Sequence, residues 1–337
     1  MTLSNELGQK IFKGCGCLSI GFVVVLTIFV IVALCIDDEE GEEGKERTEQ
    51  TEQVEQKDSI VVNEVLEGDP YKELDELIGL ENVKTEVRTL ANFVKVQKMR
   101  EAQGLKTPKI SYHLVFTGSP GTGKTTVARI VARIYKDLGV LKKGHTVETD
   151  RSGLVAEYMG QTAVKTNAII DSALNGVLFI DEAYALVPER GNGQDYGQEA
   201  ISTLLKRMED DRDKLVVIIA GYPKEMQRFI DSNPGLQSRF TRYIDFPDYS
   251  AGELMDIFKM YMRKNQYALT PEAEQYLTQK LDSAVRHKGR NFGNARYVRN
   301  MFEKCIQQQA NRLSRQSNVS KSQLTELTLA DLQQTFR

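Results

Sequence analysis

Leu114-Val115-Phe116-Thr117-Gly118-Ser119-Pro120-Gly121-Thr122-Gly123-Lys124-Thr125-Thr126 is the stretch on which the fold turns. An apolar run delivers a loop with glycine at every second or third place, and Val127, Ile130, Val131, Ile134 and Leu138 then recur at helical spacing. Glycines without side chains let backbone N–H groups wrap a phosphate chain, and the following helix N-terminus adds a favourable dipole. The spacing therefore predicts a strand, a phosphate-cradling loop spanning Gly118, Ser119, Pro120, Gly121, Thr122 and Gly123, and a helix. Lys124 is expected to reach the terminal phosphates, with the Thr125 hydroxyl on Mg2+ and Thr126 beside it.

A second element, Val177-Leu178-Phe179-Ile180-Asp181-Glu182, is a continuous apolar run ending in two acids. Buried parallel strands have this pattern, and open α/β sheets place their ligands at the carboxyl ends of such strands. Asp181 is expected to hold the Mg2+, directly or through water, and Glu182 to orient and deprotonate an attacking water. The adjacent pair points to hydrolysis of ATP, because a small-molecule kinase needs an acceptor pocket in place of a base aimed at water.

The overall charge of −3 hides a segregation. Residues 37 to 69 carry 14 acids against 3 bases, which leaves the remainder from residue 70 mildly basic. That suits a nucleotide polyanion and is too weak to mark a nucleic-acid surface. Cys15, Cys17 and Cys35 bracket an apolar run and Cys305 stands alone, so no disulfide framework is expected and a reducing compartment is.

Beyond a short N-terminal segment, residues 1–17, the run from Leu18 to Ile36 has no charge over 19 residues. As a helix it is about 28 Å long, one bilayer crossing. No small-x-small triplet follows it before Asp37, so a retained transmembrane helix, residues 18–36, is expected rather than a cleaved leader. Lys10 and Lys13 on one side balance Lys45 and Arg47 on the other, and charge leaves orientation open. The need for ATP places residues 37 to 337 in the cytoplasm. Residues 37–69, rich in Glu and Gln, are expected to be a disordered acidic linker reaching about 30 Å or more.

With both motifs in hand, the segment from Leu77-Ile78-Gly79-Leu80 to about Arg312 resembles the AAA+ ATPases, and within them the subgroup of the CbbX rubisco activases and stage V sporulation protein K. The resemblance implies that Ile78 and Gly79 lie near adenine. It also implies that Tyr158, Met159 and Gly160, in Glu157-Tyr158-Met159-Gly160-Gln161-Thr162, form a pore loop gripping a substrate chain. Asn233-Pro234-Gly235-Leu236-Gln237-Ser238-Arg239-Phe240 looks like the arginine-finger motif, with Arg242 an open alternative to Arg239. Gly293-Asn294-Ala295-Arg296 resembles the second sensor, with Arg296 reaching the phosphate of its own chain. A finger acting in trans implies a head-to-tail ring, and the family implies six subunits. Gly221-Tyr222-Pro223 departs from the polar first sensor common in the family, and Tyr222 is the residue there with a hydroxyl.

Apolar segments around Leu114, Thr146, Val177, Val216 and Tyr243 predict five parallel strands with helices on both faces, in an α/β domain over residues 70–248. After Pro247 the pattern turns wholly helical, giving a lid domain and tail over residues 249–337. Thr270 caps one of its helices with Pro271 in the first position. The tail from Ser314 either finishes the lid or mediates a contact. The expected function is a membrane-anchored motor that remodels or threads a protein client through a ring. The alternative is a loader acting on a nucleic-acid complex, for which no nucleic-acid module is evident. His113, His145 and His287 are the only histidines, and none are spaced four apart, which excludes the zinc motif of membrane-bound AAA+ proteases.

Overall fold

The computed structural model describes residues 61–63, 67–108, 110–158, 160–187 and 196–336. The expected transmembrane helix and most of the acidic linker lie outside the described residues, as does Met159. Among the described residues no helix is long and apolar enough to cross a membrane.

In chain order, the α/β part runs β1 (Val61–Asn63), α1 (Pro70–Glu76), α2 (Glu81–Ala102), β2 (Leu114–Gly118), α3 (Lys124–Asp137), β3 (Thr146–Thr149), α4 (Thr162–Ala173), β4 (Gly176–Ile180), α5 (Gly197–Asp210), β5 (Leu215–Gly221), α6 (Pro223–Asp231), α7 (Pro234–Arg239) and β6 (Tyr243–Phe246). The lid follows as α8 (Ala251–Lys264), β7 (Ala268–Leu269), α9 (Pro271–Arg286), α10 (Asn294–Leu313), β8 (Glu326–Leu327) and α11 (Leu329–Thr335).

The sheet order is β1-β3-β4-β5-β2-β6. All residues of β4 and β5 are buried, as expected of central parallel strands covered on both faces. Alternation along the strands divides the core in two. Val177, Phe179, Val216 and Ile218 face one way, onto α2, α3 and a core continuous with the lid. Leu178, Ile180, Val217 and Ile219 face the other, onto α4, α5 and α6.

The five predicted strands are all present and parallel, with Phe179 opposite Ile218 and Phe116 opposite Ile244. The expectation of a five-stranded sheet is corrected by a sixth strand. β1 pairs antiparallel with β3, Val62 opposite Val147, at a place assigned to the linker by charge. Val61-Val62 is a short β-branched pair inside an acidic tract, and Asn63 donates to Glu148, which also takes a two-pronged bond from Arg129. Local composition averaged over the tract hides those three residues.

The lid is not wholly helical either. β7 and β8 form a small parallel pair, Leu269 opposite Leu327. The buried Gln309 amide donates to the carbonyls of Gln323, Leu324 and Glu326, and Arg312 makes a two-pronged bond to the buried Asp331 at 2.8 and 2.9 Å. Leu327 and Leu332 are fully buried, so the tail completes the lid. Thr270 caps α9 as expected, accepting from Ala273 N–H.

His113, buried before β2, accepts the Val217 N–H on Nδ1 at 2.9 Å and packs against Phe240. Burial, with a smaller contribution from the nearby Arg239 cation, lowers its pKa to about 4. An unfolded histidine titrates near 6.5, so between those values the unfolded chain binds the extra proton and stability falls as pH falls. The contribution, about 3 kcal/mol, is complete above pH about 6.5 and lost below about 4. Urea unfolding across this window is expected to show that slope. The non-titrating His113→Leu, although less stable at neutral pH, should lack it.

Candidate active site

The loop after β2 is shaped by steric exclusion. Gly118 takes φ +150°, and a Cβ there would strike the Phe246 carbonyl; Gly121 takes φ +71°, and its Cβ would strike the Gly293 carbonyl. Gly123 at φ +95° caps α3 without a side-chain bond, leaving the first-turn N–H groups without a capping side chain. Thr122 is buried and closes the loop by donating to the Ser119 carbonyl at 2.9 Å. Lys124 Nζ donates to the Gly118 and Ser119 carbonyls at 2.9 and 2.8 Å. Burial lowers the Lys124 pKa, with Asp181 opposing that shift and Arg296 adding to it.

This loop floors a cleft of about 640 Å³. Its phosphate end brings together Gly118, Pro120, Gly121, Gly123, Lys124, Thr125 and Thr126 with Asp181, Glu182 and Arg296. The cleft is also lined by Leu77, Ile78 and Leu80 and by Ile257, Met260 and Tyr261 of α8, with the charged Glu73, Glu76 and Lys264. Of the predicted residues, Ser119 and Thr122 serve the loop's interior, and Gly79 does not line the cleft. Gly79, at φ +61°, lies against Glu253, where any side chain would strike the carboxylate that caps α8.

Asp181 follows β4 and is tied by its N–H to the Thr149 carbonyl at 2.9 Å. Its Oδ1 accepts the Glu182 N–H at 3.0 Å. Glu182 is left-handed at φ +48°, a conformation that costs a non-glycine residue about 1 kcal/mol or more.

The lid grips the loop through residues that sequence reasoning passed over. Asn294, fully buried and left-handed, donates to Asp248 Oδ1 at 2.9 Å and to the Pro120 carbonyl at 3.3 Å, and accepts the Tyr249 N–H at 3.0 Å. The Ala295 N–H donates to the Gly121 carbonyl at 3.1 Å, and the Tyr249 hydroxyl donates to the Thr122 carbonyl at 3.3 Å. Burial alone would raise the Asp248 pKa, but bonds from Lys288, Asn294 and Ser119 outweigh it and hold the carboxyl below its usual range. Asn294 stood inside a quoted motif beside Arg296. Asp248 and Tyr249 gave no signal, because their partners are about 45 and 127 positions away.

Arg239 does not line this cleft. Its guanidinium lies 3.5 Å from Glu209, while Arg242 stacks over Phe93 at 4.7 Å. Tyr158 stands outside the cleft and is 67% exposed, and the space beside Gly160 is open. Tyr222 lines the cleft, with its hydroxyl 3.4 Å from Asn291 Oδ1.

Backbone donors around a glycine loop, one buried lysine, a hydroxyl and a carboxylate make a donor set that fits a nucleoside triphosphate with a divalent cation. Residues 114–248 match the model of the ATPase family associated with various cellular activities (AAA), and residues 250–337 that of the AAA lid domain. Stage V sporulation protein K of Bacillus subtilis is 45% identical over 262 residues, covering 77% of this chain and 81% of that protein. The chloroplastic ribulose bisphosphate carboxylase/oxygenase activase of Cyanidioschyzon merolae is 47% identical, covering 75% and 84%. The chain belongs to the AAA ATPase family. It also matches the ESX-3 secretion system protein EccA3 of Mycolicibacterium smegmatis, 45% identical over 78% of this chain but spanning only 45% of that protein. Among solved structures, the FIGL-1 AAA domain with ADP superposes at a TM-score of 0.56 with 16% identity, covering 82% of this chain and 85% of that one, a likeness of fold.

This AAA ATPase therefore binds and hydrolyses ATP. We assign the site roles as follows. The loop and Lys124 would hold the phosphates, Thr125 and Asp181 would hold Mg2+, which would supply charge neutralisation there, and Glu182 would orient the water. Arg296, on the lid, lines the same cleft as Lys124. Replacing Glu182 by Gln keeps the shape and removes the base, so Glu182→Gln is expected to bind ATP as the parent does and to lose turnover by at least about a hundredfold. Nucleotide binding and phosphate release measured on the same preparation test it.

Proposed function

We propose that this AAA ATPase is a membrane-anchored ring, with six subunits, that uses ATP hydrolysis to remodel or thread a protein client on the cytoplasmic side. The observation that carries the reading is the disposition of Tyr158. It is a large aromatic, exposed on a polar loop that ends in an open left-handed glycine and lies off the nucleotide cleft. Packing does not account for a ring left in solvent, whereas wedging against successive side chains of a moving peptide does. Arg239 lies off its own chain's cleft beside Glu209, which supports the reading that it serves a neighbour's phosphate in a head-to-tail ring. Arg242 is the weaker candidate because its guanidinium is occupied over Phe93. Residues 18–36 supply the anchor in this reading, and they argue for a client at the membrane in place of the soluble enzyme named for the rubisco activase relative.

Two measurements test the reading. Specific ATPase activity is expected to rise with protein concentration, and Arg239→Ala subunits mixed into the parent should depress activity more than in proportion to their fraction. Activity independent of concentration, unaffected by mixing, would exclude the ring. Tyr158→Ala should retain basal hydrolysis while losing any stimulation by an unfolded protein such as casein, whereas equal stimulation of both would exclude gripping by Tyr158.

A further inference from the structure

Residues 68–80 precede the stretch, 114–248, that matches the AAA family model, yet Glu73, Glu76, Leu77, Ile78 and Leu80 line the cleft. A nucleotide with its phosphates on the loop after β2 has its nucleoside in the rest of the cleft, whose lining comes largely from this segment and from α8. Little within the segment holds it in place. Helix α1 is about two turns long, with Pro70 and Leu74 as its buried residues. Its ion pair to α2, Asp75 with Arg88, is half exposed on both sides, and such pairs contribute little. The turn that follows sets Gly79 at φ +61° and Leu80 at φ +60°. A left-handed leucine persists only where its surroundings fix the chain on both sides.

On the α2 side the anchor is Asn82, which donates to the Asp245 carbonyl of β6 at 2.9 Å. On the α1 side it is Arg133, which stands on α3, the helix that begins at Lys124. The Arg133 side chain is only 6% exposed. One end of its guanidinium pairs with the Glu73 carboxylate, and the other donates to the Gly68 carbonyl at 2.8 Å. The planar fork therefore grips the chain on both sides of Asp69, the cap of α1, whose carboxylate accepts the Tyr71 N–H at 2.8 Å. One helix thus carries both the phosphate lysine and the clamp on the segment that lines the rest of the cleft.

We propose that Arg133 is a positioning residue for nucleotide binding, which clamps α1 to α3 and so sets the separation between the phosphate loop and the Leu77–Leu80 wall that meets the nucleoside. Arg133 itself does not line the cleft and acts through the placing of that wall. Its bonds leave the phosphate end untouched, so a ligand made of phosphates alone is indifferent to it while ATP is not.

In the full-length chain, Arg133→Met keeps an aliphatic stem and removes the fork. KM for ATP is expected to rise about tenfold or more, the scale of a one-methylene misfit at an apolar wall. The value of kcat at saturating ATP should not change, as expected when binding common to ground and transition states is lost. Inhibition by inorganic tripolyphosphate with Mg2+ should be equal in parent and variant. Because Glu73 lines the cleft, the single variant also leaves an acid unpaired there. The double variant Arg133→Met, Glu73→Gln removes that charge and should show the same rise in KM. Arg133→Lys retains a cation without the fork and should fall between parent and Arg133→Met, and it supplies the same comparison should Arg133→Met fail to fold. Parent-like KM for ATP in these variants would overturn the role. Equal weakening of ATP and tripolyphosphate would overturn it too, making Arg133 a general stabiliser of the fold. So would recovery of ATP affinity in the double variant, which would make Arg133 a neutraliser of Glu73.

Discussion

A loop that binds phosphate with its backbone has no side chains with which to hold itself, and in this protein the lid does the holding. The carbonyls of Pro120 and Gly121 point away from the phosphate side and accept from Asn294 and Ala295 at the start of α10. Left without partners or water, such carbonyls would each cost up to about 1–3 kcal/mol. Their satisfaction by the lid means that the shape of the cradle and the position of the lid are set by the same bonds. Asn294 adopts a left-handed backbone to make them, and its side chain also ties the segment at Asp248 and Tyr249 that joins the two parts.

The charges follow from that clasp. The N-terminus of α10 brings Arg296 to the same cleft as Lys124, two cations near each other in a partly buried place. Asp181, Glu182 and Asp248 lie close enough to moderate the repulsion. A polyphosphate bound beside both cations would relieve it more fully. The other side of the cleft is built from the ends of β4 and β5, where Asp181 and Glu182 follow β4 and the Tyr184 ring lies over Gly221 and beside Tyr222.

Much of this was legible along the chain. The strands were visible because parallel strands buried on both faces must be apolar throughout, and the phosphate loop because its glycines stand where side chains collide with Phe246 and Gly293. The acidic pair after β4 was visible because charge ends an apolar run. Three kinds of feature escaped. β1 was hidden within an acidic tract, since its two valines depend on pairing with β3 to become a strand. The β7–β8 pair was too short to have a period of its own. Tyr184 looked like one more residue of a turn, because its ring contact is with Gly221, well separated in sequence.

The sequence by itself determined the class of fold and the identity of the nucleotide chemistry, because both are carried by contiguous residues whose types are constrained by local backbone geometry. The tertiary structure decided how those pieces meet: which carbonyls the lid satisfies, which arginine is left clear of its own cleft, and which aromatic ring lies over the end of β5. Those relations join residues far apart in the chain, through distances and directions that no local pattern of residue types encodes.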